Sequence, residues 1–372
     1  MMYNWQHNDW ANFTYNNLNV SDITSCFVEL SDETKILLQQ KNIAEQQEEM
    51  LYFLISEAEK TSEIEGEYIS RQDLMSSIRN KLGINKIPEN IKDLRAKVIT
   101  DLLIEVRNSY KKRLTENSLK NWHKLLFNGS KVVRAGKYRI GDAPMQVVSG
   151  AIGRETVHYE APPSARVPKE MKDFVQWYNA FDVKNTADVL IKTAITHLYF
   201  ESIHPFEDGN GRIGRAIAEK CLSQSLGIPI LFSISTIIEK NRKQYYDALK
   251  NAQSSLEISD WIAYFSDVIL QAQVEAAQIV KFSLYKTIFF DIYKTELNER
   301  ELKAINKMFD AGVDGFEGGM TAKKYMSITH ASKATATRDL QHLTEIGAFV
   351  TQGSGRNVHY QLDRIDKKNT NN

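Results

Sequence analysis

Apolar residues recur at helical spacing through much of the N-terminal part of the chain. They lie three or four positions apart over 33–60 and 91–110, and again in the shorter stretch 118–127. This spacing puts the apolar side chains on one face of a helix, where they can pack on a core. We therefore predict three helices here. Residues 1–30, which precede them, are aromatic and polar without a clear period.

A different pattern follows over 129–165, where Gly, Pro and β-branched residues dominate. Met145–Val148 and Glu155–Tyr159 are short strand-like runs, and residues 149–154 between them include two glycines and are typical of a turn. We predict a β-hairpin that ends before the Pro-Pro pair at 162–163.

Helical periodicity returns after the hairpin and continues to residue 290, with a break over 204–210. Residues 297–362 then have a pattern of their own, in which three helical stretches precede two short strands around a Gly-rich turn. This order is the outline of a winged helix. The predicted helices cover 168–182, 187–203, 211–225, 239–254, 258–290, 299–311, 321–328 and 332–346, and the strands cover 349–351 and 358–362.

Composition adds few constraints. Lys plus Arg and Asp plus Glu both number 47, which argues against an affinity of the whole chain for nucleic acid or anionic membrane. The two cysteines, Cys26 and Cys221, have no zinc-site or disulfide-framework spacing. Without a signal peptide or membrane-spanning run, the chain is expected in the cytoplasm. The tail after Asp366 is expected to be disordered.

The segment from His204 to Arg215 combines residue types that suit phosphate chemistry. Pro205 removes a backbone donor, so the preceding helix must end there. The two glycines on either side of Asn210 let backbone N–H groups turn inward at the start of a new helix. Such N–H groups and the partial positive charge of a helix N-terminus together make a cradle for an anion.

Side chains in the same segment complete the chemistry. Arg212 and Arg215 share a helix face and can clamp phosphate oxygens. Asp208 offers a hard oxygen ligand to Mg²⁺, and His204 titrates near neutral pH and can accept a hydroxyl proton. Phe206 is expected to anchor the loop in the core. Each feature alone has an ordinary structural explanation, but their order favours displacement at a nucleotide phosphate.

This segment resembles the signature of the Fic family, His-x-Phe-x-(Asp/Glu)-Gly-Asn-Gly-Arg-x-x-Arg, at every fixed position. The resemblance extends through Ala194–Phe200, Val157–Pro163 and Asn241–Tyr246, and Tyr3–His7 resembles a leader domain often fused to such proteins. It implies a mainly α protein: a Fic helical core with a β-hairpin flap, plus a C-terminal winged helix-turn-helix domain. The expected domains are 1–110, 111–290 and 291–372, the last including the tail.

The resemblance also implies an activity and a set of roles. The chain would transfer AMP from ATP to a Ser, Thr or Tyr hydroxyl of another protein, with His204 as the base and Asp208 holding Mg²⁺, or Mn²⁺ as the alternative. A kinase-like branch of the family carries Lys where this chain has Gly211, so AMP transfer is preferred over phosphorylation. The implied nucleotide-binding residues are Gly209, Asn210, Gly211, Arg212 (β-phosphate), Arg215 (γ-phosphate), Val157, His158, Tyr159, Glu160, Tyr246 and Gln253.

The hairpin resembles the family's flap, which would bind a target protein by adding a strand through main-chain hydrogen bonds. An ordinary edge hairpin is the alternative. The resemblance further implies self-modification and a homodimer. Without a membrane-spanning run, no membrane association is expected.

Thr61–Gly66 resembles the family's inhibitory pattern, (Ser/Thr)-x-x-x-Glu-(Gly/Asn). An inhibitory helix is expected around 57–70, with Glu65 pairing bidentately with Arg215 and displacing the γ-phosphate. Alternatively, Glu65 is one of several exposed helix acids, like Glu63 and Glu67. The same carboxylate suggests a second activity, because it could orient a water that removes AMP from the modified target.

The C-terminal module suggests a competing class of function, a DNA-binding regulator. Its third predicted helix has the form of a recognition helix, and Arg356 in the wing could contact phosphate. Asp339 and Glu345 on the same helix argue against this, and docking or dimerisation is the alternative use. The candidate groove-facing residues are Lys333, Thr335, Thr337, Arg338 and Gln341.

Overall fold

The computed structural model describes residues 2–16, 20–149 and 156–363. The chain divides into two compact units. The first comprises residues 1–32 and 43–276, and the second comprises residues 33–42 and 277–372. No helix within the described ranges is long and apolar enough to cross a membrane. The predicted turn of the hairpin and the tail after Asp366 lie outside these ranges.

The protein is mainly helical, as predicted. The helices along the chain are α1 (Ser21–Gln39), α2 (Ile43–Ile64), α3 (Arg71–Lys81), α4 (Leu94–Asn108), α5 (Glu116–Leu126), α6 (Val167–Ala180), α7 (Thr186–Ile203), α8 (Asn210–Leu226), α9 (Ile234–Lys240), α10 (Arg242–Ala252), α11 (Ser259–Tyr293), α12 (Glu299–Phe309), α13 (Ala322–Thr329) and α14 (Lys333–Glu345). The strands are β1 (Gln146–Ser149), β2 (Thr156–Glu160), β3 (Phe349–Gln352) and β4 (His359–Leu362).

Helix α7 is the centre of the first unit. Every residue from Val189 to Ile203 is buried, and the next helix along the chain, α8, packs against it. Apolar side chains from α2, α4, α5, α6 and α8 complete this core. Because the loop between α7 and α8 is held at both ends by buried helices, residues 204–209 have a firmly supported position.

The predicted hairpin is present at the edge of this unit. β1 pairs antiparallel with β2, and Gln146 opposes Glu160 in the register. The register shifts between Val147 and Val148, which indicates a bulge.

The second unit contains the predicted order of three helices and a hairpin. α12, α13 and α14 pack around buried apolar residues, and β3 pairs antiparallel with β4. Asp339 on α14 is buried, where it accepts two hydrogen bonds from Arg300 and one from the Tyr325 hydroxyl. Asp339 is therefore part of the core polar network and not of the exposed helix face.

Two of the predicted helices are divided in the structure. The stretch predicted over 33–60 is α1 and α2, separated at residues 40–42, and α1 already begins at Ser21. The stretch predicted over 239–254 is divided near Asn241 into α9 and α10. Helix α3 was not predicted, although Leu74, Ile78 and Leu82 recur at helical spacing. The inhibitory helix expected around 57–70 is shorter, because α2 ends at Ile64 and Gly66 adopts a left-handed φ of 78°.

Candidate active site

His204 lies at the C-terminal cap of α7 in a left-handed conformation, with φ of 49° and ψ of 60°. A non-glycine residue in this region is uncommon and marks a functional constraint when its surroundings enforce it. Pro205 follows immediately, so the helix cannot continue. The turn leaves the His204 side chain mostly buried, with 18% exposed.

Arg139 enforces that turn. Its guanidinium is buried and donates to the backbone oxygens of Ile203, His204 (2.8 Å) and Pro162, while its own N–H donates to Pro205 O. Burial lowers the pKa of Arg139 to about 10, which still leaves it charged at neutral pH. No local pattern marks Arg139, because its backbone partners at 162 and 203–205 lie far from it along the chain.

Asn210 closes the loop between the two helices. Its side-chain Oδ1 accepts from Phe206 N and its Nδ2 donates to Phe206 O, both at 2.9 Å. The Phe206 ring is fully buried, which confirms the expectation that it anchors the loop. The amide of Asn210 thus supports the loop, and its backbone N–H remains at the start of α8.

His123 supports the same loop from α5. Its ring stacks on Phe206 with centroids 4.0 Å apart, its Nε2 lies 3.2 Å from Asp208 O, and its Nδ1 accepts from Gly136 N. These contacts require the neutral tautomer with the proton on Nε2. Burial lowers the pKa of His123 to about 4, which keeps the ring in that form.

The first turn of α8 presents unpaired backbone donors. The first backbone bond of this helix runs from Ile213 N to Gly209 O, so the N–H groups of residues 210–212 precede it. Gly209 has a φ of 78°, and a Cβ there would lie 2.5 Å from the Phe127 ring. Only glycine suits this position, which lets the chain enter α8 with its N–H groups toward the site.

A carboxylate already occupies this helix N-terminus. Glu65 Oε1 accepts from Arg215 Nη2 at 2.8 Å and lies so close to Gly211 that a Cβ there would clash with it. Arg215 is buried, with 2% of its side chain exposed, and its Nε and Nη2 also donate to Oγ1 and O of Thr61. The expected bidentate pair is therefore a single hydrogen bond from Nη2, while Nε is directed to Thr61.

Glu67 makes a second contact of the same kind. Its Oε1 accepts from Arg212 Nη1 at 2.8 Å, and Arg212 is buried with 7% of its side chain exposed. The alternative of an exposed helix acid is therefore wrong for Glu67, which lies beyond the end of α2 and faces the site. Glu63 instead pairs with Lys60 on the helix surface. Both arginines of the motif are thus paired with a carboxylate from the short segment 65–67.

The end of α2 that supplies these acids is fixed to α9 and α10. Arg242 donates to the last-turn carbonyl of Glu63, and Glu57 accepts from Ser233 Oγ (2.7 Å), Ser235 N (3.1 Å) and Ser235 Oγ. Glu57 is buried, so these bonds offset the cost of burying its charge.

The titratable groups of the site have pKa values shifted in different directions. Burial would raise the pKa of Glu65, but Arg215, Arg212 and His204 outweigh it and hold that pKa below the usual value. Burial lowers the pKa of His204 to about 4, so its imidazole is neutral near pH 7. Burial raises the pKa of Glu201, whose Oε2 lies 3.7 Å from His204 Nδ1, to about 8.

The predicted nucleoside contacts fall into two groups. Tyr246 is 42% exposed. Its pKa is raised, first by partial burial of the hydroxyl and then by the nearby negative charge of Glu65. Val157 is 41% exposed on the hairpin. In contrast, Tyr159 and Gln253 are buried, and their polar groups contact residues 4, 201 and 202 of the protein itself.

His158 and Glu160 are half-buried on β2, and Glu160 accepts from Gln146 Nε2 across the hairpin at 2.9 Å. These two residues therefore belong to the hairpin, while His204, Asp208 and residues 209–215 surround the N-terminus of α8.

Asp208 is the residue that could hold a metal. Its carboxylate is 59% exposed beside the helix N-terminus, and Oδ1 accepts from Gly209 N at 2.5 Å. Across the described ranges, no group of three or more His, Cys, Asp or Glu side chains forms a metal cage. One exposed carboxylate suits Mg²⁺, which commonly takes one or two protein ligands and completes its shell with water and substrate phosphates.

Comparison with known proteins agrees with this geometry. Residues 113–222 match the Fic/DOC family model, and residues 3–84 match a domain of unknown function, DUF4172. Two solved structures share the fold. A Fic family protein from Desulfovibrio desulfuricans aligns with a TM-score of 0.58 at 19% identity, covering 96% of this chain and 99% of that chain. A Fic domain containing signaling protein from Bacteroides thetaiotaomicron aligns with a TM-score of 0.54 at 16% identity, covering 70% and 96%.

Curated relatives match the catalytic region. A probable protein adenylyltransferase of Aquifex aeolicus is 35% identical over 95 residues, which is 26% of this chain and 27% of that protein. The protein adenylyltransferase fic-1 of Caenorhabditis elegans is 28% identical over 127 residues, which is 34% of this chain and 22% of that protein. The aligned region spans about a quarter of the length of these relatives. Residues 113–222 of this chain form a Fic domain, homologous to the proteins named protein adenylyltransferases.

Proposed function

We propose that this chain transfers AMP from ATP to a hydroxyl side chain of a target protein and releases pyrophosphate. One observation carries the proposal: Glu65 lies over the N-terminus of α8 and pairs with Arg215, beside His204. A buried arginine and free backbone N–H groups that attract a carboxylate would attract a phosphate for the same electrostatic reason.

The reaction would use the residues of this loop in order. The target hydroxyl oxygen attacks the α-phosphorus, and His204 accepts its proton. The new bond joins that oxygen to phosphorus, and the bond between the α-phosphorus and the bridging oxygen breaks. Arg212 and Arg215 stabilise the negative charge that gathers on the departing pyrophosphate. The neutral imidazole that burial favours is the form able to take the proton.

Asp208 would hold Mg²⁺ at the phosphates, where the ion supplies positive charge to the leaving group. Its exposed carboxylate and its place beside the free N–H groups of α8 support this assignment. Mn²⁺ is the alternative ion, since carboxylate and phosphate oxygens suit both.

The same geometry supports autoinhibition. Arg215 cannot bind a γ-phosphate while it donates to Glu65, and the carboxylate repels any phosphate that approaches α8. ATP then binds weakly or in an unproductive orientation. Removal of AMP from the modified target is a second activity of this site, because Glu65 could orient a water molecule there. Release of AMP from modified protein by the wild type but not by Glu65→Gln would support it.

Label transfer tests the main reaction. The Glu65→Gly variant is incubated with α-labelled or γ-labelled ATP and Mg²⁺, with the whole protein and a cell extract as acceptors. We expect α-label on protein, abolished by adding His204→Ala. Protein labelled from the γ-phosphate would indicate a kinase reaction and contradict the proposal, and so would an α-label that survives loss of His204.

DNA binding by the second unit is the alternative function. Lys333, Thr337, Arg338 and Gln341 are exposed on α14, and Asp339, which argued against DNA, is buried and paired. Arg356 has no described side-chain position. Retention on duplex DNA that falls steeply with salt and is lost in Arg338→Ala would support this function. Equal retention of the variant would oppose it.

A further inference from the structure

The first residues of the chain form a turn that is buried against the catalytic region. Asn4–Gln6 is a short 3-10 helix, capped by Tyr3, whose N–H donates to Gln6 Oε1 at 2.8 Å. Asn4 is fully buried. The Tyr3 ring meets the Tyr159 ring edge to face, with centroids 5.1 Å apart. Neither the proposed transfer reaction nor the proposed autoinhibition by Glu65 uses this segment.

Asn4 contacts three different elements. Its Nδ2 donates to Ser202 Oγ at 2.8 Å, and its backbone N–H donates to Gln253 O at 2.8 Å. The Tyr159 hydroxyl donates its one proton to Ser202 O at 2.7 Å and shares it with Asn4 Oδ1, 3.3 Å away, which also accepts from Trp5 N at 2.8 Å. A buried amide with a partner for each polar group specifies one geometry, because losing any partner leaves a buried group unsatisfied.

These elements carry separate parts of the proposed reaction. Ser202 lies in the last turn of α7, two residues before His204. Tyr159 lies in β2 of the hairpin to which a target segment is predicted to add, and Gln253 caps α10. Trp5 adds a contact at the end of β2, where its Nε1 donates to Glu160 O at 2.7 Å.

We propose that Asn4 and Trp5 are positioning residues for the transfer reaction. They hold β2 at a fixed distance from the last turn of α7, so that a segment added to the hairpin presents its hydroxyl to His204. This inference rests on the proposed function for its catalytic consequence, but the positioning itself is a property of the fold. It gives a role to the start of the region that matches a domain of unknown function.

Hydrogen exchange tests the positioning directly. The variants are Asn4→Ala and Trp5→Phe, the second of which keeps an aromatic ring and loses the donor to Glu160. Asn12→Ala is the matched control, because it makes the same change at an exposed residue of the same segment. We expect amides of 156–160 and 200–204 to exchange at least tenfold faster in both variants, and amides of 213–226 to change less than twofold.

Two results of this experiment would overturn the inference. One is unchanged exchange in β2 and at the end of α7. The other is uniformly faster exchange through α4, α7 and α8, which would mean that Asn4 contributes only to global stability. The control variant should exchange like the wild type.

A second arm measures catalysis in the Glu65→Gly background. Asn4→Ala should leave the dissociation constant for MgATP within twofold and lower α-label transfer at saturating ATP at least tenfold. An equal loss of nucleotide binding, or full retention of transfer, contradicts a positioning role. If the Glu65→Gly parent transfers no label, the proposed function fails, and the exchange measurement still decides the positioning.

Discussion

At the scale of single residues, the site depends on arginines that are already paired. Arg212 and Arg215 each donate to a glutamate across 2.8 Å, and both guanidinium groups are buried. The motif on α8 indicated these arginines from sequence. From the sequence, Glu67 resembled an ordinary surface acid. Its contact with Arg212 could not be predicted, because it joins parts of the chain that are far apart.

We predict that Glu67→Gln strengthens nucleotide binding. The change keeps the shape of the side chain but removes the negative charge that pairs with Arg212. MgATP should therefore bind roughly threefold to tenfold more tightly, about 1 kcal/mol for an ion pair whose glutamate is 31% exposed. Calorimetric titration measures this. Glu63→Gln is the control, since Glu63 pairs with Lys60 away from the site. Equal MgATP affinity in both variants would show that Glu67 does not inhibit nucleotide binding.

We also predict how transfer by the Glu65→Gly variant depends on pH. With the pKa of His204 lowered to about 4 by burial, the imidazole stays neutral down to about pH 5. Single-turnover rates should therefore change less than twofold between pH 8 and pH 5.5. An unshifted histidine, with a pKa of roughly 6.5, would lose about tenfold over that interval. Such a loss would show that the base is exposed to solvent during the reaction.

At the scale of elements, the α7–loop–α8 junction was the most predictable part of the site. Pro205 and the two glycines near Asn210 dictate where one helix ends and the next begins, and the structure places the boundaries within a residue of those expected. The break between α1 and α2 was not predictable, because the short turn at 40–42 contains neither Gly nor Pro to mark it. Helix α3 was missed, although its N-cap Ser70 precedes Leu74 and Ile78 at helical spacing.

We predict that Asn210→Ala loosens this junction. The change leaves Phe206 N and O without their partners in a buried loop, which should lower the free energy of unfolding by about 1–3 kcal/mol. Thermal or denaturant unfolding measures the loss. Asn128→Ala, at an exposed residue, should be within about 0.5 kcal/mol of wild type. Similar stabilities for the two variants would contradict the role of the Asn210 amide in closing the loop.

At the scale of the whole molecule, the hydrophobic pattern predicts a mainly helical chain, with a hairpin in the catalytic region and three helices plus a hairpin at the C-terminal end. The domain limits of 110 and 290 remain predictions. The compact units instead include residues 33–42 with the C-terminal part of the chain, a pairing of distant segments that no local pattern indicates.

Buried acids should make the stability of the molecule fall as pH rises. Burial raises the pKa of Glu219 to about 8, above its value in the unfolded chain. The native state therefore holds a proton that the unfolded state releases above about pH 4.5, so stability declines between about pH 4.5 and pH 8. Glu219→Gln should be more stable than wild type at pH 8, by about 1–3 kcal/mol, and the advantage should shrink toward pH 5. The exposed Glu29→Gln is the control.

We propose that the Glu65 carboxylate occupies the place at the N-terminus of α8 where the phosphates of ATP would bind. The most direct test is the rate of α-label incorporation from MgATP in Glu65→Gly relative to wild type, at equal protein and nucleotide. Freeing Arg215 and removing the negative charge at α8 should raise the rate at least a hundredfold, while Glu63→Gln should leave it unchanged. Equal rates in Glu65→Gly and wild type would contradict the claim that Glu65 inhibits the site.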